Sequence, residues 1–485
     1  MITIFRMSKP PNIIVFCNGK KFETICNLIN NTIGRSRYTI YPLNEKEPWE
    51  KYCCLVVLAT HPTDVPFSIT RQVKQYYQNG GKVLSLGGHF TTLMPLTSCE
   101  TPPGPCLDEL CSSPMDFGCG QGQPGSLIVL PMYRNQAVTE LKTKLLQKVL
   151  GDLGVVICDK GDITLSPLHV YSRSSSTLEN FFTLIRKQTV NNIVKSGQNM
   201  FSIGEMSNAA DCVPLIRGSD DSEFYSALRT KQFPAVLLYG KVVSSTQDIL
   251  WESSVISNST DSVAVIGDVQ VNGKGRAKNK WLSPVGTLCL SFCINLSLNS
   301  FIGQKISFVQ YLTTLAAVKA IKFLAQKDLP IGIKWPNDLY TKKGEKIGGV
   351  LVNCSSSGNT VKLCIGIGIN VNNDHPTVCL SSLLDNKLST LTLAAEICNA
   401  FEEELELFNT EGHEQFVRRY CEAWLHSGST VRVQLGSVDC LTDIESIDDN
   451  GYLSVRKRDG TLLSVQPDGN SFDMLNNLIA VKFNA

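Results

Sequence analysis

The feature that most limits what this chain can become is the alternation, in its first third, of short continuous apolar runs with helical stretches. Ile13-Ile14-Val15-Phe16, Leu55-Val56-Val57-Leu58, Val83-Leu84-Ser85-Leu86 and Leu127-Ile128-Val129-Leu130 are short and almost wholly apolar. Strands buried on both faces have that composition, and such strands are usually parallel. Between the second and third runs, residues 67–78 have a helical pattern closed by Asn79-Gly80-Gly81, a stop signal of the expected type. An open α/β sheet is predicted over 1–170.

At 485 residues the chain exceeds what one hydrophobic core supports, so further domains follow. Over 171–231 the periodicity weakens. Ser172, Ser174, Ser175 and Ser176 gather there, then Gly218-Ser219-Asp220-Asp221-Ser222, which reads as a linker region with some local structure. Strands and helices resume over 232–425. Phe308, Tyr311, Leu312, Leu315 and Ala316 share one helical face there, and Leu393, Ile397, Ala400, Phe401 and Leu405 share another. Glu402, Glu403, Glu404 and Glu406 flank the second face as a solvated surface. Beyond Trp424, short runs broken by Asp449-Asn450-Gly451, Asp459-Gly460 and Asp468-Gly469 predict hairpins closing a small β-barrel over 426–485.

Charge excludes one class of function. Lysine plus arginine number 45 against 44 acidic residues, so no global field favours nucleic acid or an anionic membrane. The 18 cysteines are scattered without a CxxC pair, which argues for free thiols in a reducing compartment rather than a structural zinc site. No run reaches the roughly 18 apolar residues of a membrane span. A soluble cytoplasmic protein is the expectation.

Four segments carry chemistry. Gln270 precedes Gly273-Lys274-Gly275-Arg276 and Trp281, Ser283-Pro284 and Gly286 follow it. Two glycines let backbone approach phosphate oxygens while Lys274 and Arg276 supply positive charge, an anion cradle that is not a P-loop. Lys334-Trp335-Pro336-Asn337-Asp338 comes about 60 residues later, with Asn337 and Asp338 expected at a strand end. A hairpin returning through Lys346, Gly348 and Gly349 would set the Lys346 ammonium beside that turn. Ser245-Thr246-Gln247 opens a helix, and Ile365-Gly366-Ile367-Gly368-Ile369-Asn370 is a strand with glycines at alternate positions. Taken singly, these are a basic loop, a core tryptophan, a surface lysine and an N-cap. Their order and spacing carry the information.

Together they resemble the catalytic domain of biotin protein ligases, through GKGR and WLSPVG (273–286), KWPND (334–338), KIGGVLV (346–352), IGIGIN (365–370) and QPDGNSFDML (466–475). The whole chain is similar to the eukaryotic holocarboxylase synthetase branch of that family. The resemblance implies an α/β and α+β multidomain chain, its catalytic domain like that of class II aminoacyl-tRNA synthetases, with a C-terminal SH3-like barrel. Residues 80–88 look like the strand-to-turn elbow of glutamine-amidotransferase-like domains, except that Gly87 stands where those have their nucleophilic cysteine, so no glutaminase activity is expected.

By the same resemblance, Ser245, Thr246, Gln247 and Gln270 would line a biotin pocket. Gly273, Lys274, Gly275 and Arg276 would close over biotin and the adenylate phosphate, with Trp281 beside them. Lys346, with Gly348 and Gly349, would meet the carboxylate and phosphate, while Lys334, Asn337 and Asn370 would bind nucleotide. Asp338 would sit near the acceptor amine, so that Arg276, Lys346 and Asp338 carry the catalysis. Arginine often stands where Lys274 does, and lysine lacks its guanidinium fork. Biotin, ATP and magnesium, with its ligands left open, are implied. Partners would be biotin-acceptor domains of acetyl-CoA, pyruvate and propionyl-CoA type carboxylases, with no nucleic acid or membrane and a mitochondrial pool left open. A lipoate ligase is disfavoured by the GKGR and KWPND pair, and a transcriptional repressor by the α/β pattern where a helix-turn-helix would stand.

Overall fold

The computed structural model describes residues 12–17, 22–33, 38–43, 49–51, 53–60, 62–86, 127–129, 139–155, 164–187, 193–196, 199–203, 212–218, 223–231, 233–253, 262–276, 279–373, 377–384, 386–435, 438–467, 470–473 and 478–481. These fall into two compact units, one over 9–163 and one carrying 164–484.

In the first unit, β1 (Asn12–Phe16), β2 (Thr39–Pro42), β3 (Cys53–Leu58), β4 (Val83–Ser85) and β5 (Leu127–Val129) form a parallel sheet in the order β2-β1-β3-β4-β5. Alternate residues of one strand feed two separate cores: Ile13 and Val15 pack with Ile29 and Leu150, Ile14 with Ile69 and Val73. That two-sided burial is why β1 and β3 read as unbroken apolar runs. The helix Phe67–Gln78 has the expected bounds and ends at Asn79, before Gly80 with φ +89°. Gly87 and Gly88 lie outside the described residues.

The second unit contains an eleven-stranded sheet. Its strands are β6 (Leu168–Ser172), β7 (Ile193–Ser196), β8 (Asn199–Ile203), β9 (Cys212–Arg217), β10 (Val236–Val243), β11 (Val263–Gln270), β12 (Thr287–Ser297), β13 (Ile331–Lys334), β14 (Asp338–Thr341), β15 (Lys346–Ser357) and β16 (Thr360–Asn370), in the order β13-β14-β15-β16-β12-β11-β10-β6-β9-β8-β7. The linker expected over 171–231 is therefore corrected: β7, β8 and β9 extend this sheet, and β6 pairs antiparallel with β10. The serine cluster is the start of the helix Ser175–Lys187, and Arg173 ties the segment down through the carbonyls of Thr230 and Leu228, at 2.6 and 2.8 Å. Short strands near a sheet edge carry too little periodicity to announce themselves.

The helices Val309–Ala325 and Thr390–Glu411 cover one face of this sheet. The stretch Ile306–Ala325 is, against expectation, long and apolar enough to cross a membrane, yet 67% of it is buried inside the protein, as a core helix would be. Glu404 departs from the solvated row expected of it. It is fully buried, accepting from Lys319 at 2.8 Å and Arg419 at 3.3 Å.

A six-stranded sheet closes the unit: β17 (Thr430–Leu435), β18 (Val438–Ile447), β19 (Leu453–Lys457), β20 (Leu462–Val465), β21 (Asn470–Asp473) and β22 (Leu478–Val481), ordered β20-β19-β18-β17-β22-β21. Its Val431, Val433, Ile444 and Val455 belong to the same core as Phe308, Tyr311 and Tyr420.

Candidate active site

Strand alternation builds the floor of the site. In β12, Leu288, Leu290 and Phe292 enter the main core, which turns Thr287, Cys289, Ser291 and Cys293 to the other face. In β16, Ile365, Ile367 and Ile369 do the same, which turns Cys364, Gly366, Gly368 and Asn370. The register pairs these residue for residue: Cys293 with Cys364, Ser291 with Gly366, Cys289 with Gly368 and Thr287 with Asn370.

The glycines make room. A Cβ on Gly366 would stand 2.3 Å from Gln247 Oε1, and one on Gly368 would stand 2.5 Å from the indole nitrogen of Trp281. Over Gly366 lies a buried polar network. Thr246 Oγ1 and Ser291 Oγ are 2.8 Å apart, Ser291 donates to Gln247 Oε1 at 3.2 Å, and Gln247 Nε2 donates to the Cys364 carbonyl at 2.9 Å. Gln270 accepts from the Thr246 amide at 2.8 Å and donates to Ser283 Oγ at 3.0 Å. Both carboxamides are thereby fixed in orientation. Ser245 is buried, and its side chain caps the helix Thr246–Trp251 by accepting from the Asp248 amide. Ser291 was not singled out in the sequence, because a serine in a strand is normally solvated; its signal is a polar residue on an alternating position of an otherwise apolar strand.

Charge gathers at the other end. Lys346 Nζ is 2.7 Å from Asp338 Oδ1 and 5.6 Å from the centre of the Trp281 ring. Gly349 pairs with Asp338 in register, and a Cβ there would stand 2.8 Å from Asp338 Oδ1. Burial alone would raise the Asp338 pKa, but Lys346, Lys334 and Arg276 outweigh it and hold the carboxyl below its ordinary value. One carboxylate lies in the field of three cations, an excess of positive charge suited to anions.

Not every expected contact points into the site. Asn337 is buried with both ends of its amide engaged: Nδ2 donates to the Val350 carbonyl, and Oδ1 accepts from Arg276 Nη1 at 3.1 Å. It stands behind Arg276 and holds the guanidinium in place. The other guanidinium nitrogen donates to the Pro467 carbonyl, in the loop before β21. Lys274 points toward the helix Thr246–Trp251, with Nζ 2.7 Å from Asp248 and 3.9 Å from Glu252. Lys334 Nζ lies 5.0 Å from the Tyr340 ring centre. Gly273 is packed against the Trp281 carbonyl, where a Cβ would stand 2.3 Å away, while Gly275 bonds through its amide to the Asn279 carbonyl. Gly348 is pressed against the Gly368 carbonyl, where a Cβ would stand 2.6 Å away.

Known proteins share this arrangement of sequence. Residues 239–370 match the Biotin/lipoate A/B protein ligase family. The chain is 29% identical over 573 residues to a biotin--protein ligase of Homo sapiens, covering 98% of this chain and 78% of that one. It is 32% identical over 314 residues to biotin--protein ligase 2 of Arabidopsis thaliana, covering 60% of this chain and 92% of that one. A solved biotin protein ligase from Aquifex aeolicus, in complex with biotin and ATP, aligns with 47% of this chain and 94% of its own at 25% identity and a TM-score of 0.40. With 92% of the Arabidopsis relative matched at 32% identity, and the family's signature running from β10 to the end of β16, the chain belongs to the biotin protein ligase family.

Proposed function

We propose that this chain activates biotin with ATP as biotinyl-5'-AMP and then transfers the biotinyl group to a lysine of an acceptor protein. The observation that carries the reading is the contact of Lys346 with Asp338, with Lys334 opposite Asp338 in register and Arg276 held by the neighbouring Asn337, at one end of a glycine floor whose other end is a buried network of amides and hydroxyls. A ligand with a compact polar ring at one end and a phosphate at the other matches both ends.

In the first step a carboxylate oxygen of biotin attacks the α-phosphorus of ATP, forming a new P–O bond and expelling pyrophosphate. Lys346 and Arg276 stabilise the charge that accumulates at phosphorus, which preorganised cations do best where water is excluded. Thr246, Gln247 and Gln270 orient the ureido end. In the second step a neutral acceptor amine attacks the acyl carbon and AMP leaves. Asp338, held ionised by its three cations, accepts a hydrogen bond from the incoming amine and so aligns it. Among the described residues no group of three or more His, Cys, Asp or Glu could hold a metal ion; magnesium would come with the triphosphate, ligated by phosphate and water.

The acceptors this reading favours are biotin-carrier domains of carboxylases, and the buried free thiols, Cys289 and Cys364 among them, suit a reducing cytoplasm. The parallel first unit is read as an amidotransferase-like domain without its nucleophile, on the strength of Gly87 in the sequence, and the terminal six-stranded sheet as an SH3-like barrel. The test is biotin transfer to a purified biotin-carrier domain with ATP and magnesium, scored by mass spectrometry. A biotin-sized gain on one lysine, absent without ATP, is expected. Transfer of lipoate in place of biotin, or no transfer with either, overturns the reading.

A further inference from the structure

Among the described residues, two neighbouring residues of the site face each carry a buried polar atom without a hydrogen-bond partner. Thr287 and Asn370 are partners across β12 and β16, each is 2% exposed, and neither Thr287 Oγ1 nor Asn370 Oδ1 makes a hydrogen bond. Buried polar groups are nearly always satisfied. Cross-strand partners keep their Cβ atoms about 5 Å apart, so two unmet bonds lie side by side.

The polarity of this pair is fixed by a third residue. Asn370 Nδ2 donates to Thr377 Oγ1 at 2.7 Å, and Thr377 gives its own hydroxyl hydrogen to the Lys346 carbonyl at 2.9 Å. Thr377 can therefore only accept from Asn370. The amide cannot turn over without losing that bond, and Oδ1 is left as an obligate acceptor beside a hydroxyl that is able to donate.

The place of the pair along the floor says what it meets. Ser291 and Gly366 lie at the level of Gln247, and Cys289 and Gly368 at that of Trp281, with Lys346 above the indole. Thr287 and Asn370 come two residues further. At about 3.4 Å per residue these levels are roughly 7 Å apart. On the reading proposed above, an acyl adenylate with its acyl ring at Gln247 and its phosphate at Lys346 brings its purine to the third level. Adenine presents an amino donor next to a ring-nitrogen acceptor, complementary to an acceptor next to a donor. Guanine and hypoxanthine place an oxygen where that amine would be, against Asn370 Oδ1.

We infer that Thr287 and Thr377 select the base of the nucleotide: Thr287 by donating to an adenine ring nitrogen, Thr377 as a positioning residue that holds Asn370 as the acceptor for the 6-amino group. Substitution of either weakens recognition of the base and leaves the biotin end of the floor untouched.

The experiment is biotin-dependent pyrophosphate release by the full chain with ATP and with ITP, comparing wild type, Thr287→Val, Thr287→Ser and Thr377→Val. Loss of one such bond corresponds to roughly tenfold. Thr287→Val is expected to raise KM for ATP by about that factor with KM for biotin unmoved, and Thr287→Ser to restore it. Thr377→Val is expected to shrink the preference for ATP over ITP. An unchanged KM for ATP in Thr287→Val, a parallel rise for ATP and biotin, or an unchanged ATP-to-ITP ratio in Thr377→Val overturns the inference. If the wild type releases no pyrophosphate, the ligase reading fails by itself, and ATP and ITP binding to the same four proteins, measured by calorimetry, still decides whether the threonines read the base.

Discussion

Asp338 sits among three cations that favour its ionised form, and its carboxyl stays below the ordinary value although burial pulls the other way. A carboxylate so stabilised is a poor proton acceptor but a good hydrogen-bond acceptor, so its contribution to acyl transfer is orientation. The two half-reactions should separate on this residue: Asp338→Asn is expected to retain pyrophosphate release while slowing biotin transfer by roughly tenfold to a hundredfold. Equal losses in both would place Asp338 in the adenylation step instead. Lys346→Ala should do the reverse, lowering pyrophosphate release by about a hundredfold or more. Unimpaired release in that variant would remove Lys346 from the phosphate.

At the scale of the element, the strand β16 is spaced by glycines on its site face, and helix, loop and strand approach one another across them. Gly368→Ala should push the Trp281 indole off the floor, with biotin affinity falling by a factor of ten or more while the thermal midpoint moves by only a few degrees. A normal biotin KD in that variant would show the floor to be slack. A second element, the turn after the helix His413–Glu422, carries His426. Burial, with Lys334 nearby, pushes its pKa down to about 3, and Nε2 accepts the Trp335 amide at 2.9 Å. Because the folded pKa lies below the unfolded one, this residue's contribution is complete above about pH 6.5 and is lost as pH falls toward 3. The urea midpoint should therefore drop between pH 7 and pH 5 more steeply in wild type than in His426→Asn; equal slopes would refute the assignment.

These elements differ in how far the sequence betrayed them. GKGR, KWPND and Lys346 are legible because the chemistry requires those residue types within short stretches, and β1 and β3 because burial on both faces leaves no polar position. The burial of Glu404 and of Asn337 is not legible, since what buries them arrives from segments distant in the chain. The strands over 193–217 are hidden for another reason: next to a sheet edge, short runs such as Ile193–Ser196 have no period long enough to be read.

On the scale of the whole chain, the unit over 164–484 holds two sheets, and the larger of its two core clusters runs through both. The helix Val309–Ala325 and the short turn Ile306–Phe308 before it join them: Tyr311 donates to the Gly451 carbonyl at 2.5 Å, and Ser307 to that of Asn450 at 2.8 Å. Arg276 reaches across in the same way, to the Pro467 carbonyl. Two sheets so joined should open together. In native-state hydrogen exchange, amides of β12, β17 and β18 are expected to fall into one protection class. A six-stranded sheet that exchanged several kcal/mol more easily than β12 would instead behave as an independent domain.

The glycine floor has an evolutionary consequence. A pocket lined by side chains can be enlarged by trimming them, whereas at Gly366 and Gly368 this floor is already at the minimum that twenty amino acids allow. Any mutation at Gly366 or Gly368 can only make it shallower. A variant accepting a bulkier acyl group therefore has to be sought among the side chains around these glycines, at Trp281, Gln247 or Ser291, and the two glycine positions offer natural drift or a designer no direction in which to move.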